Sequence, residues 1–241
     1  MNLTGKTETG RRSHNEDSFC ISSEPNGRIF AAVSDGMGGH AAGETASRLS
    51  IETVSRIFHD APKLLEGTLA LAFSEANRVV FETAEQHPDM YGMGATLVCA
   101  VPFPTRFLAA NVGDSRLYLF HNGALRQITH DHSYVAELVR REIITPEEAK
   151  THPRRNWVTR AIGTEPHVKV DLFSEEWEAG DILILCSDGL FGSLNDADFC
   201  RILASCADLD DACETLSALA YENGSSDNIT VVLIQNAEDA Q

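Results

Sequence analysis

The stretch AAVSDGMGGHAAGE, from Ala31 to Glu44, places one aspartate between a run of small apolar residues and three glycines. The segment Ile29–Ser34 is apolar or small throughout and predicts a buried strand. Asp35 follows this strand directly, and the glycines after it allow a tight turn before a helix that we expect from Ala41. A carboxylate in this position suits a metal ligand or an acid, although Asp-Gly is also an ordinary turn dipeptide. Whether it has a chemical role depends on partners elsewhere in the chain.

The order of the predicted elements favours an α+β fold in which helices cover antiparallel sheets. Strand-like segments follow one another in hairpin-like runs, and Asn122-Gly123 between two of them is a strong signal for a type I′ turn. Helical patterns come in pairs and do not alternate with single strands. The predicted strands are 19–22, 29–34, 95–101, 106–112, 116–121, 125–128, 168–173, 182–187 and 229–235. The predicted helices are 41–59, 63–86, 133–141, 195–205 and 209–223.

The whole chain, residues 1–241, is expected to form a single domain, because no linker, low-complexity tract or repeat divides it. Residues 134–166 are basic and interrupted, which predicts a surface excursion with short helices. Within it, Thr145 before Pro146 indicates a helix start. Only the first few residues and the tail 236–241 are expected to be loose.

The composition excludes several classes of function. A formal net charge of −17, from 36 acidic and 19 basic residues, argues against nucleic acid or an anionic membrane as partner. The acidic excess serves either solubility or the binding of cations. No segment approaches the roughly 20 apolar residues of a membrane span, and the N-terminus lacks the apolar core of a signal peptide. Six cysteines without a C-x-x-C pair are expected to be reduced, and we predict a cytoplasmic protein.

Aspartates recur at the predicted ends or starts of strands, and two of them share the local form apolar strand–Ser–Asp–Gly. These residues are Asp17, Asp35, Asp114, Asp131, Asp188 and Asp227. If strand ends of two packed sheets meet at one edge, several carboxylates converge and repel one another. Hard divalent cations such as Mg²⁺ or Mn²⁺ relieve this repulsion and prefer oxygen ligands. Each aspartate taken alone is also explained as the cap of a turn.

Short motifs around these aspartates occur in a fixed order along the chain. They are RSHNED (12–17), SDGMGGHAAGE (34–44), VGDSR (112–116), THDHS (129–133), SDGL (187–190) and SDNITVVLI (226–234). Together they resemble the metal-dependent serine/threonine protein phosphatases of the PP2C (PPM) type, in their bacterial form, over residues 7–235. The resemblance implies a four-layer α-β-β-α sandwich, that is, two antiparallel sheets with a helix pair on each outer face. It also implies a centre of two metal ions at one edge of the sandwich.

The resemblance assigns the metal ligands residue by residue. Asp35 would bridge the two Mn²⁺ or Mg²⁺ ions, and Asp188 and Asp227 would complete the ligands of the first ion. The second ion would take the Gly36 carbonyl and a carboxylate of the Glu16–Asp17 pair, with Asp17 favoured over Glu16. A third, weaker ion would lie between Asp131 and Asp188, whereas Asp114 is expected to organise its turn.

The resemblance also assigns substrate contacts. Arg12 matches the arginine that grips the substrate phosphate, which suits its planar fork of donors. Met37 replaces the histidine that animal-type members carry as a suspected proton donor. His40 either takes over that role or caps the following helix. The segment 134–166 corresponds to the family's flap beside the active site, and its Arg154, Arg155 and Arg160 either attract the substrate or form a solvated surface.

The implied reaction is hydrolysis of phosphoserine and phosphothreonine in proteins by a metal-activated water, which needs no protein nucleophile. A monomeric bacterial signalling phosphatase would oppose a Ser/Thr kinase and share that kinase's substrates. A link to secretion machinery follows only by analogy. Two alternatives stay open: a pseudophosphatase that binds phosphoproteins without cleaving them, and a metal-dependent esterase or nuclease that acts on phosphodiesters.

Overall fold

The computed structural model describes residues 1–24 and 27–237, and it has the four-layer α-β-β-α arrangement that the motifs implied. The strands are β1 (Asn2–Glu8), β2 (Asp17–Ser23), β3 (Ile29–Met37), β4 (Gly94–Ala95), β5 (Leu97–Pro102), β6 (Arg106–Val112), β7 (Arg116–His121), β8 (Ala124–Gln127), β9 (Asp171–Glu176), β10 (Ile182–Cys186) and β11 (Ile229–Gln235). The helices are α1 (His40–Asp60), α2 (Glu66–Gln86), α3 (Tyr134–Arg140), α4 (Pro146–Thr151), α5 (Asp188–Phe191), α6 (Asp196–Ser205) and α7 (Leu209–Glu222).

Two antiparallel sheets form the inner layers. One has the strand order β1-β11-β10-β7-β8, and the other has β2-β3-β5-β6-β9 with β4 paired to β3. Alternate residues of β3 pack on opposite sides: Phe30 and Ala32 lie in the core beneath α1 and α2, whereas Ala31 and Val33 lie between the sheets. This explains the continuous apolar run of β3, because both of its faces are buried.

The second helix pair covers the other sheet in the same manner. Ile184 of β10 packs with Phe199 of α6 and Leu216 of α7, while Leu183 and Leu185 of the same strand face the opposite sheet. The predicted helix pair on each outer face is therefore confirmed.

The prediction that the first residues are loose is wrong. Strand β1 pairs with β11 from Asn2 opposite Gln235 to Glu8 opposite Ile229. Its sequence NLTGKTE has little apolar alternation, and the strand is held by backbone pairing to its neighbour. After β11, Asn236 is buried, and its side-chain Nδ2 donates to the Pro104 carbonyl. The rest of the predicted loose tail, 238–241, lies outside the described residues.

Two local predictions agree with the structure and one is corrected. Asn122 and Gly123 have φ angles of 49° and 79°, as a type I′ turn between β7 and β8 requires. Thr145 caps α4 by accepting a hydrogen bond from the Glu148 amide. The strand β3, however, continues beyond Ser34 to Met37, because its last two residues pair with β4. Asp35 therefore lies within a strand and not after one.

Candidate metal centre and phosphate site

The Asp35-Gly36 dipeptide lies where three segments of the chain meet. Asp35 is the cross-strand partner of Asp17, the first residue of β2. A Cβ at Gly36 would overlap the Gly43 carbonyl oxygen of α1 and lie 2.7 Å from the Glu16 carbonyl oxygen. The Gly36 amide donates to that same Glu16 oxygen at 3.1 Å. Glycine is thus required because α1 and the Glu16 segment both press against this backbone.

The second Ser-Asp-Gly sequence uses its glycine in the same way. A Cβ at Gly189 would overlap the carbonyl oxygen of Asn228, so only glycine lets α5 approach the segment that precedes β11. This packing brings Asp188, the first residue of α5, close to Asp227. The Oδ1 of Asp188 is buried and has no hydrogen-bond partner among residues 1–24 and 27–237. An unpartnered buried carboxylate oxygen is costly, and a cation is the partner it fits.

Asp17 joins the two sheets at this edge. Its Oδ2 accepts hydrogen bonds from the hydroxyls of Ser187 at 2.7 Å and Thr230 at 2.6 Å, which belong to the other sheet's side of the sandwich. Burial, opposed in part by these two hydrogen bonds, raises the pKa of Asp17 to about 7. Sequence reasoning assigned no role to either hydroxyl residue, although each lies within one of the aspartate motifs.

The neighbouring carboxyl groups also have raised pKa values. Burial raises the pKa of Asp35 well above its ordinary value, and the charges of Asp17 and Asp188 add to the effect. Burial and the charge of Asp227 raise the pKa of Asp188 to about 6. Several acids in one buried place resist ionisation together, and divalent cations remove this penalty.

Arg12 lies at the same edge as these acids. Its Nη2 donates to Asp227 Oδ2 at 2.7 Å and its Nε donates to the Ser226 carbonyl at 3.0 Å, while about half of the side chain is exposed. The loop that carries Arg12 and Glu16 is held by the buried Asn228.

The side chain of Asn228 uses both of its polar ends in this task. Its Nδ2 donates to the carbonyls of Thr9 and His14, each at 2.9 Å, and its Oδ1 accepts from the Glu16 amide at 2.9 Å. The predicted phosphate-binding arginine and the predicted ligands are thus brought together from opposite ends of the sequence.

Thr96 is a second positioning residue that sequence reasoning missed. Its Oγ1 accepts from the Asp35 amide at 2.9 Å, and its own amide donates to the Asp35 carbonyl at 2.8 Å. The hydroxyl is also 2.7 Å from that of Ser115, next to Asp114. In the sequence, the polar Thr96 within the otherwise apolar predicted strand 95–101 is a local signal that could have revealed this support.

Asp131, the predicted ligand of a third ion, has side-chain partners that the sequence did not predict. Its carboxylate accepts from Arg116 through Nε at 3.0 Å and Nη2 at 2.7 Å, and from Gln127 Nε2 at 2.9 Å. Burial, with the charges of Asp188 and Asp131, raises the pKa of Asp114 to about 7, so Asp114 also lies close to these acids. The guanidinium of Arg116 engages Asp131.

The predicted flap arginines differ in their surroundings. Arg154 is exposed and stacks over the ring of Trp157, with 4.4 Å from its Cζ to the ring centroid, and Arg155 is exposed as well. Arg160 is partly buried, and its Nη1 donates to Asp171 Oδ1 at 2.8 Å and to the Lys169 carbonyl at 3.2 Å. His40 is the first residue of α1, and its side chain lies outside the described part of the structure.

The donor set at this edge fits hard cations. It consists of carboxylate oxygens, with the Glu16 side chain close to Gly43. Within residues 1–24 and 27–237, no three acidic, histidine or cysteine side chains already form a closed ligand set. Binding of a metal ion therefore requires local adjustment of these side chains, one of which, Asp227, is paired with Arg12.

Comparison with known proteins decides the family. A family model described as Protein phosphatase 2C matches residues 4–222. The chain belongs to the protein phosphatase 2C family. This confirms the resemblance in the motifs. Separately, none of the described helices is both long and apolar enough to cross a membrane.

Individual PP2C relatives resemble the chain over nearly its full length. It is 39% identical to the serine/threonine phosphatase stp of Listeria innocua, covering 98% of this chain and 96% of the relative. A crystal structure of a bacterial serine phosphatase superposes with a TM-score of 0.95 at 36% identity, covering 100% of both chains. The PstP catalytic domain, solved with 2 manganese ions, gives a TM-score of 0.85 at 35% identity over 96% of each chain. The PP2C family is metal-dependent.

Proposed function

We propose that this PP2C chain is a metal-dependent protein phosphatase that hydrolyses phosphoserine and phosphothreonine in proteins. The observation that carries the proposal is the convergence of Asp17, Asp35, Asp188 and Asp227 beside Arg12 at one edge of the sandwich. Mutual repulsion and the unpartnered Oδ1 of Asp188 favour a cation at this place. Family membership and relatives that are phosphatases by name support the same reaction.

The residues of this chain would divide the metal ligands among them. Asp35 would serve two Mn²⁺ or Mg²⁺ ions, with Asp188 and Asp227 at the first and the Gly36 carbonyl with Asp17 or Glu16 at the second. Asp114, in place of Asp131, would supply a third and weaker position together with Asp188. Such ions, when bound, acidify water and neutralise charge on the transferring phosphoryl group.

Arg12 would bind and orient the substrate phosphate. Its fork of donors matches two phosphate oxygens, and its exposed position makes it accessible from solvent. In the structure this fork is directed at Asp227, so a substrate phosphate would take the place of that carboxylate as the partner of the guanidinium. His40 as a proton donor to the leaving alkoxide stays a prediction, as does the attraction of substrate by Arg154, Arg155 and Arg160.

Three of the six thiols are buried and unsuited to act as nucleophiles. Burial raises the pKa of Cys186 and of Cys213 to about 12, and it raises that of Cys99 further, so these groups stay protonated at neutral pH. This favours direct attack by water over a cysteinyl-phosphate route.

The proposal is tested by phosphate release from a phosphothreonine peptide with Mn²⁺, with excess chelator, and with a phosphodiester in place of the peptide. We expect release from the monoester only, abolished by the chelator and by Asp188→Asn. Peptide binding without release in the wild type would favour a pseudophosphatase instead. Release from the diester at a comparable rate would favour an esterase or nuclease.

The biological setting remains a set of predictions. They are action on a Ser/Thr kinase and its substrates, a link to secretion machinery by analogy, a monomeric state and a cytoplasmic location. A pull-down with the catalytically silent Asp188→Asn variant, followed by phosphosite mapping of captured proteins, addresses the first of these.

A further inference from the structure

His132 is a buried histidine that the proposed reaction does not use. Its backbone amide donates to the Gly113 carbonyl at 3.0 Å, and the Gly113 amide in turn donates to its Nδ1 at 3.0 Å. Because a backbone amide only donates, Nδ1 must be the unprotonated nitrogen of the ring. The proton of the neutral ring therefore lies on Nε2, which donates to Asp171 Oδ2 at 3.0 Å. Arg160 Nη1 lies 2.8 Å from the same Nε2, and its own protons are directed to Asp171 Oδ1 and the Lys169 carbonyl.

Asp171 is itself fixed, so the ring of His132 has one orientation. It is the first residue of β9, and its second oxygen, Oδ1, accepts from Arg160 at 2.8 Å. Asp171, His132 and the Gly113 backbone thus form a carboxylate–imidazole–amide chain. Such chains are the usual means of fixing the tautomer and direction of a histidine.

The turn held by His132 carries a member of the acidic cluster. Gly113 has a φ angle of +108° and precedes Asp114 directly. A Cβ at Gly113 would lie 2.6 Å from the Cβ of Thr96. Thr96 in turn accepts a hydrogen bond from the Asp35 amide and donates one to the Asp35 carbonyl. A shift of this turn would therefore displace the Asp114 carboxylate relative to Asp35.

We propose that His132, oriented by Asp171, is a positioning residue that fixes the Gly113–Asp114 turn and thereby the carboxylate of Asp114. The inference rests on the proposed function, in which Asp114 helps to hold the weakest of the bound divalent cations. It assigns His132 and Asp171 to the support of that cation site, with no contact to substrate.

The chain offers a matched control for this test. His121 and Asp181 form a second histidine–carboxylate pair, with 2.7 Å between Nδ1 and Oδ1. His121 is the last residue of β7, and Arg116, the partner of Asp131, is the first. Five residue steps along a strand separate the two ends by about 17 Å. Asp181→Asn thus removes the same kind of pair away from the site.

The experiment titrates Mn²⁺ into the full-length protein and measures binding by calorimetry, with thermal unfolding as a check on folding. We expect Asp171→Asn to weaken the weakest Mn²⁺ site by about tenfold or more, the usual effect of losing such a supporting partner. His132→Asn is expected to do the same. Asp114→Asn should abolish that site, and Asp181→Asn should leave all Mn²⁺ binding at the wild-type level.

The outcomes separate the inference from the function on which it rests. If Asp114→Asn weakens Mn²⁺ binding but Asp171→Asn and His132→Asn behave like Asp181→Asn, the positioning role of His132 is refuted alone. If Asp114→Asn binds Mn²⁺ like the wild type, the assignment of Asp114 in the proposed function fails. An effect of Asp171→Asn without one of Asp114→Asn would also overturn the inference, because the support would then not act through Asp114.

Discussion

Gly36→Ala is the substitution for which the structure gives the clearest expected effect. The added methyl would overlap the Gly43 carbonyl oxygen and lie 2.7 Å from the Glu16 carbonyl oxygen, both of which are backbone atoms. Neither can move as a side-chain end would, so α1 and the Glu16 segment must both shift away from Asp35. We expect a loss of unfolding free energy of about 3 kcal/mol or more, at or above the upper end of usual overpacking costs.

Gly67→Ala is the matched control for this substitution. Gly67 lies in the first turn of α2, and a Cβ there would meet nothing within 4 Å. Alanine is the better helix former and restricts the unfolded chain, so the control should be neutral or more stable by about 0.5–1 kcal/mol.

Urea unfolding of both variants, together with Mn²⁺-dependent release of phosphate from a phosphopeptide, provides the measurement. Gly36→Ala should lower the unfolding midpoint and the activity together, because the displaced segments carry Glu16 and the Asp35 backbone. The reasoning is refuted if Gly36→Ala unfolds within about 0.5 kcal/mol of the wild type, the range of ordinary surface substitutions.

Three further predictions follow from single contacts. Thr230→Val removes the hydroxyl that donates to Asp17 Oδ2 at 2.6 Å, and urea unfolding should show a loss of unfolding free energy of about 1–3 kcal/mol. An unchanged unfolding midpoint would contradict this hydrogen bond. Arg12→Ala should raise KM for a phosphopeptide by about tenfold or more without weakening Mn²⁺ binding, since Asp227 is released; weaker Mn²⁺ binding would argue against the assignment. Burial raises the pKa of Asp171, but hydrogen bonds from His132 and Arg160 outweigh it and hold this pKa below its ordinary 3.8. The stability that the charged Asp171 contributes is therefore present above pH 3.8 and lost as the pH falls further. The difference in stability between wild type and Asp171→Asn should shrink accordingly in acid, and a difference independent of pH would oppose this.

The elements that follow from local sequence were predictable. The apolar run of β3 is buried on both faces, and the Asn122-Gly123 turn and the Thr145 cap depend on residues next to one another. Strand β1 was not predictable in the same way, because its polar sequence is held by the backbone of β11 from the far end of the chain. Register is weakly specified by a strand that has no clear apolar face, so local sequence could not reveal this pairing.

The candidate site was predictable as a set of motifs but not as a set of contacts. Asp131 and Asp114 are both acids in strong motifs, and only the fold reveals that Arg116 engages the first while Asp188 raises the pKa of the second. The contact of Arg160 with Asp171 was likewise not predictable, because Asp171 begins β9, which pairs with β6. Long-range partners of charged side chains decide these roles, and local sequence does not contain them.

The central claim is that carboxylates from distant parts of the chain jointly hold the ions that drive hydrolysis. Anomalous diffraction at the manganese edge, from crystals of this protein grown with Mn²⁺, measures this most directly. The account predicts two strong peaks that share Asp35 as a ligand, with Asp188 and Asp227 on one of them and Arg12 turned away from Asp227. Manganese bound elsewhere on the protein, or peaks that Asp35 does not touch, would contradict it.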